Sequence, residues 1–115
     1  MTVQELVSKL NLTVKTRGTD LNKEVKGGYA SDLLSDVMAN CSEGFVWVTL
    51  QIHQNIVAVA SMKDVSAILL VNNREPDEGT LKKAAEEKIT ILVSKLPAFE
   101  LAGRLYNLGI KGKIK

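Results

Sequence analysis

The side chains best suited to chemistry follow two short apolar segments, residues 45–50 and 66–71. The first group consists of Thr49, His53, Gln54 and Asn55, and the second of Asn72, Asn73 and Arg74. All but the imidazole and the guanidinium are neutral hydrogen-bonding groups. Helix N-termini at these points would add free N–H donors and partial positive charge. The set therefore favours the binding of a small anion or phosphate, with Arg74 supplying the main charge.

The two apolar segments predict the elements that would position these groups. Both are continuous runs rich in β-branched residues, which is typical of strands buried on both faces. The stretch between them, residues 56–61, is apolar enough to be a well-covered helix. Two parallel strands joined through a helix bring both polar groups to the carboxyl edge of one sheet, where ligands bind in open α/β sheets.

The rest of the chain fits the same architecture. The sequence predicts a helix at 3–10, which begins with a Thr2–Glu5 capping box. Further helices are predicted at 30–41, from 75 and from 97. Strands are predicted at 12–16 and 89–93, and a more weakly indicated strand at 23–26. We expect an α/β fold: a mainly parallel β-sheet with helices on both faces, a three-layer α/β/α arrangement. The 115 residues suit a single domain, 1–115, in which 110–115 form a basic tail.

A second region completes the predicted site. Gly27 and Gly28 are expected to break the chain, and Ser31 and Asp32 to begin the next helix as N-cap and first-turn acid. This helix start would approach the same edge. The predicted ligand-binding residues are Gly28, Ser31, Thr49, His53, Gln54, Asn55, Asn72, Asn73 and Arg74.

Most of these residues also have a purely structural interpretation, which for Arg74 is a surface ion pair. Ser31, Gln54 and Asn55 would serve as helix caps, whereas Asn72 and Asn73 would only tolerate positive φ in a tight turn. His53 would be a hydrogen-bonding structural histidine.

The residue types present exclude several functions. No carboxylate is expected at the strand ends, so paired-acid catalysis and Mg²⁺ binding lack their groups. One cysteine and one histidine allow neither a disulfide nor a zinc site, and Cys41 fits a buried, inert thiol. We expect no catalytic residues, no metal and no cofactor.

Charge and hydropathy limit the classes of partner to be expected. A net charge of +2 gives no reason to expect nucleic acid or a membrane surface as partner. No apolar run reaches the roughly 20 residues of a membrane span, and the first residues lack the features of a signal peptide. We expect a cytoplasmic protein.

Four stretches together resemble the DRTGG domain, which is related to the N-terminal domain of HPr kinase/phosphorylase. They are residues 32–38, 47–55, 74–77 and 98–105. The resemblance implies an α/β fold, a regulatory or ligand-sensing role and frequent self-association. It implies no kinase activity, because the kinase phosphate loop belongs to a separate catalytic domain. Two motifs differ: Gln51-Ile52-His53 stands for Gly-Asp-Arg, and Val71-Asn72-Asn73 for Thr-Gly-Gly.

The leading hypothesis is a non-enzymatic regulatory domain that binds a small anionic or nucleotide-like ligand, or a partner protein, at the strand carboxyl ends. One alternative is a small phosphoryl- or acyl-transfer enzyme using His53 as general base and Arg74 as anion clamp; an acid beside His53 would favour it. Another is a purely structural interaction subunit.

A homodimer is also expected, because the last helix and residues 56–60 carry more apolar surface than one sheet covers.

Overall fold

The computed structural model describes residues 1–114, which form five helices and five strands. In chain order they are α1 (Val3–Leu10), β1 (Thr13–Val14), β2 (Gly27–Ala30), α2 (Leu34–Asn40), β3 (Phe45–Thr49), α3 (Asn55–Lys63), β4 (Ala67–Leu70), α4 (Glu78–Glu87), β5 (Ile91–Val93) and α5 (Ala98–Asn107).

The strands form one sheet in the order β1-β5-β4-β3-β2. The four strands from β2 to β5 run parallel, and β1 joins β5 antiparallel at the far edge. Every residue of β3, β4 and β5 is buried, as expected for strands covered on both faces. The predicted mainly parallel sheet and the central strand–helix–strand unit are confirmed.

Helices cover both faces of the sheet. Side chains of α2, α3 and α4 share one hydrophobic cluster with Trp47 of β3, whereas α1 and α5 share the opposite cluster with Val46 and Val48. The apolar helix α3 packs between α2 and α4, so Ile56 and Val57 are fully buried within the chain. It therefore provides no reason of its own to expect a dimer. In the described part of the chain, no helix has the length and apolar character to cross a bilayer.

The prediction that Gly27 and Gly28 break the chain is wrong, because they begin β2. A Cβ on Gly27 would lie 2.6 Å from the Phe45 ring and 2.7 Å from the carbonyl oxygen of Lys111. Gly27 thus allows Phe45 and the backbone at Lys111 to approach β2 closely. The strand predicted at 23–26 is reduced to an isolated bridge between Thr2 and Glu24.

Two helices begin later than predicted. Ala30 lies in β2, and α2 starts at Leu34 after the Ser31 hydroxyl accepts the Leu33 N–H at 3.2 Å. Ser31 therefore shapes a turn before the helix instead of capping it. Helix α4 begins at Glu78 with Asp77 as its N-cap residue.

The last helix is only half covered. Leu101 and Leu105 are buried, but Phe99 and Tyr106 are 88% and 55% exposed. Beyond the helix, Ile110 is buried, and the Lys111 carbonyl accepts the Gly28 N–H at 3.1 Å. Part of the expected basic tail thus lies against β2; Lys115 lies outside the described residues.

Candidate functional site

The carboxyl edge of the parallel strands does not form one crevice. From β2 to β5 the strands follow chain order without reversal, so the parallel part of the sheet has no topological switch point. It is at such points that open α/β sheets form ligand crevices. The predicted site residues are consequently divided among three places along this edge.

The first place is the end of β2 and β3, where Asp32 and Thr49 meet. One Asp32 oxygen, Oδ1, accepts hydrogen bonds from the Thr49 hydroxyl at 2.8 Å and from the Leu50 N–H at 2.7 Å. The Gln51 side-chain amide donates to the Asp32 carbonyl at 3.0 Å. The other carboxylate oxygen, Oδ2, has no hydrogen-bond partner among residues 1–114. A fixed carboxylate with one free oxygen can accept hydrogen bonds from a ligand.

A cavity of about 190 Å³ lies directly beside this carboxylate. It is lined by Ala30, Ser31, Asp32, Val48, Thr49, Leu50 and Ala98. Ala98 is the first residue of α5, whose N-cap residue Pro97 provides no side-chain cap. The positive end of a helix thus contributes to the same cavity.

A second cavity of about 120 Å³ continues along α5. It shares Ala30 and Val48 with the first, so the two form one groove between β2 and α5, here called the α5 groove. The far end is apolar and aromatic, with Leu105, Tyr106 and Ile110. Three predicted site residues line the α5 groove: Gly28, Ser31 and Thr49.

The second place is the start of α3 and α4, where His53 meets Asp77. Their Nδ1 and Oδ2 atoms are 2.7 Å apart, and the side chains are 67% and 48% exposed. Neighbouring Gln54 makes no side-chain cap to α3 and instead lies against Gly79, where an added Cβ would meet its amide nitrogen. Among the described residues, no hydrogen bond or ion pair joins His53 to Arg74.

The third place is the turn after β4. Asn72 and Asn73 both have positive φ, 56° and 53°, as the structural interpretation of these residues predicted. Their N–H groups donate to the carbonyls of Leu96 and Ser94. Arg74 follows, exposed, and within residues 1–114 it forms no ion pair.

The expectation of a carboxylate-free edge is wrong. Asp32 and Asp77 both lie there, although one had been interpreted as a first-turn acid and the other as part of a helix start. Asp32 was missed because Gly27–Ala30 was not recognised as a strand. Had it been, Asp32 would have stood after a strand end like the other candidates. Asp77 is the acid beside His53 that was expected to favour the enzyme alternative.

The remaining reactive groups form no metal or thiol site. Among residues 1–114, no three His, Cys, Asp or Glu side chains cluster so as to hold a metal ion. Cys41 is buried at the end of α2, and this burial raises the pKa of its thiol. A raised pKa keeps the sulfur protonated and weakly nucleophilic at neutral pH.

Comparison with known proteins yields a likeness of fold. No protein-family model matches the sequence, and no curated protein matches it. The chain superposes with a TM-score of 0.68 and 15% identity on the crystal structure of the CBS and DRTGG domains of the regulatory region of Clostridium perfringens pyrophosphatase, complexed with its activator diadenosine tetraphosphate. The match covers 96% of this chain and 47% of that one. The chain thus has an α/β fold similar to that of about half of a nucleotide-regulated region in another protein.

Proposed function

We propose that this chain is a non-enzymatic, cytoplasmic regulatory domain of the DRTGG type that binds a nucleotide-like ligand in the α5 groove. The observation that carries the proposal is the groove itself, which is lined at one end by Asp32, a residue whose Oδ2 makes no hydrogen bond within residues 1–114. It joins a polar end to an apolar, aromatic end, and few polar groups in a mainly apolar cleft are typical of small-molecule sites.

The chemistry of the two ends favours a nucleoside with a phosphate. A carboxylate is the usual acceptor for ribose hydroxyls, and the start of a helix favours phosphate. At the other end, Tyr106 and Leu105 offer apolar surface to a base. Because each cavity is below the roughly 300 Å³ of a full ligand pocket, the ligand would lie along the groove with part of its surface in solvent.

The likeness to the pyrophosphatase regulatory region supports a regulatory role. That region binds a nucleotide activator, and the fold is shared over nearly all of this chain. The replaced motifs at Gln51–His53 and Val71–Asn73 are compatible with a site that has moved away from those positions, towards β2 and α5.

The proposal is tested by titrating the protein with diadenosine tetraphosphate and following the fluorescence of Trp47. This tryptophan is the only one in the chain. It packs on the opposite face of the sheet from α5, but its indole N–H donates at 2.9 Å to the carbonyl of Ser31, a residue that lines the groove. We expect a saturable change. Asp32→Asn keeps an acceptor for Leu50 and Thr49 but loses the free carboxylate oxygen, so affinity should fall at least about tenfold.

Asp77→Asn is the matched control, because it removes a carboxylate from the same sheet edge outside the groove. Its affinity should equal that of the wild type. Equal weakening by both variants, or no saturable response of the wild-type protein, would contradict the proposal.

A second candidate function rests on His53 and Asp77. The 2.7 Å contact can orient the imidazole so that, with the proton on Nδ1, Nε2 is free to act as a general base. A screen of activated acyl and phosphoryl esters would test this candidate. Turnover abolished by His53→Gln, with nucleotide affinity unchanged, would establish an enzyme; no turnover with any ester class would count against it.

A further inference from the structure

The exposed side of α5 carries a stripe that the folded chain leaves largely uncovered, with the Nζ of Lys111 5.2 Å from the centroid of the Tyr106 ring at one end. Phe99, Gly103 and Tyr106 follow one another at helical spacing, opposite the buried Leu101 and Leu105. Phe99 is among the most exposed large apolar side chains of the described residues. A stripe of this kind on a helix is typical of an interface.

The glycine in the middle of the stripe has no explanation within the chain. A Cβ added at Gly103 would meet no atom within 4 Å, so no neighbour requires its absence. Glycine also weakens a helix interior relative to alanine. What a missing side chain does allow is the close approach of a second backbone from outside.

We propose that two copies of this chain associate through α5, with the helices antiparallel and crossing near Ala102 and Gly103. An antiparallel pair centred there places Phe99 opposite Tyr106 of the partner subunit, and the same contact recurs by symmetry. The stripe is thus complementary to itself, as a two-fold interface requires. The small residues at the crossing let the aromatic side chains at both ends reach the partner helix.

Charges beside the stripe fit the same register. Glu100 and Arg104 lie on one flank of it, and neither forms an ion pair within residues 1–114. In the antiparallel pair Glu100 faces Arg104 of the partner subunit, again twice by symmetry. Charge complementarity therefore selects a second copy of this chain as the occupant. This inference does not rest on the proposed function. Ala102 and Tyr106 belong to both the interface and the α5 groove, so a bound ligand and a second copy of the chain would compete for them.

Mixing two charge variants tests the register directly. Glu100→Arg and Arg104→Glu should each weaken self-association by about tenfold, because each places like charges opposite one another. In an equimolar mixture the heterodimer regains both opposite-charge pairs, so its affinity should return to that of the wild type. Size-exclusion chromatography with light scattering at tens of micromolar gives the masses. Mixing can restore an opposite-charge pair only if the two residues belong to different subunits. If the mixture does not regain the affinity of the wild type, the proposed register is wrong.

Apolar variants test the surface. Phe99→Ser should raise the dissociation constant of the dimer at least about a hundredfold, since the change acts twice in a symmetric dimer. Met62→Ser, on the exposed side of α3 and 66% exposed in the wild type, is the matched control and should leave the dimer intact. A monomeric wild-type protein, or a dimer that survives Phe99→Ser, would overturn the proposal.

Discussion

The Asp32 carboxylate accepts a hydrogen bond from the Thr49 hydroxyl, with 2.8 Å between the two oxygens, and this bond ties the end of β2 to the end of β3. The Thr49 side chain is only 2% exposed, so its hydroxyl has little access to water as an alternative partner. The same Asp32 oxygen accepts a hydrogen bond from the Leu50 N–H, just after the end of β3. One side chain thus fixes both strand ends at the polar end of the α5 groove, which Asp32 lines.

Asp32→Ala should lower the free energy of unfolding by about 1–3 kcal/mol, because it leaves the buried Thr49 hydroxyl without an acceptor. Asp32→Asn should cost much less, since the amide oxygen still accepts from Thr49 and Leu50. Urea unfolding followed by circular dichroism gives both values. Introducing Thr49→Val should reduce the cost of Asp32→Ala; strict additivity of the two changes would contradict the coupling.

The sequence predicted elements whose determinants are local or strongly periodic. The Thr2–Glu5 capping box forms as expected and opens α1 at Val3. The apolar runs at 45–50 and 66–71 are the central strands β3 and β4. In these segments every nearby residue indicates the same structure, so no distant contact is needed to interpret them.

The site could not be predicted in the same way, because its contacts are distant in sequence. Ser31 and Asp32 have the pattern of a helix start, yet Asp32 bonds to Thr49 and Leu50, 17 and 18 residues away. Gly27 has the pattern of a break, yet it lies in a strand that pairs with β3, where the Phe45 ring and the Lys111 carbonyl leave no room for a side chain. Local propensity cannot report either contact.

Stability should depend on pH through Tyr29 and Asp36, which join β2 to α2. The Tyr29 hydroxyl donates to Asp36 at 2.7 Å, and this bond lowers the pKa of Asp36. A lowered pKa in the folded state contributes stability above the ordinary value of about 4, which is lost as the pH falls through the folded-state pKa. The stability difference between wild type and Tyr29→Phe should therefore be present at neutral pH and shrink on acidification.

Urea unfolding of both proteins at a series of pH values between neutral and acid measures this difference. In an Asp36→Asn background, the stability difference caused by Tyr29→Phe should no longer change with pH. If the difference in the free energy of unfolding between wild type and Tyr29→Phe stays constant down to acid pH, the protonation of Asp36 is not coupled to this hydrogen bond.

Cys41 should behave as a structural residue. Its side chain is buried in the cluster beneath α2 and α3, and burial raises the pKa of the thiol. Cys41→Ala should lower the free energy of unfolding by about 1 kcal/mol, as for a small buried group. Under native conditions a thiol reagent should label the protein slowly, and in denaturant quickly. Equal rates in both would contradict burial.

Arg74→Ala distinguishes the α5 groove from the turn after β4. If the anion were bound at that turn, the loss of Arg74 would weaken binding by about 1.5–3 kcal/mol, as expected for a charge-assisted hydrogen bond. We expect diadenosine tetraphosphate to bind Arg74→Ala as well as the wild type, since the α5 groove is not lined by Arg74. Calorimetric titration of both proteins decides between the two positions.

The most direct test of the proposed ligand site is the amide spectrum of ¹⁵N-labelled protein titrated with diadenosine tetraphosphate. The Leu50 N–H donates a hydrogen bond to the Asp32 carboxylate, and Ala98 and Ala102 line the groove along α5. We predict saturable shifts of these three amides, with those of His53 and Asn73 unmoved. Shifts confined to His53 and Asn73, or no saturable shift at all, would contradict the α5 groove as the ligand site.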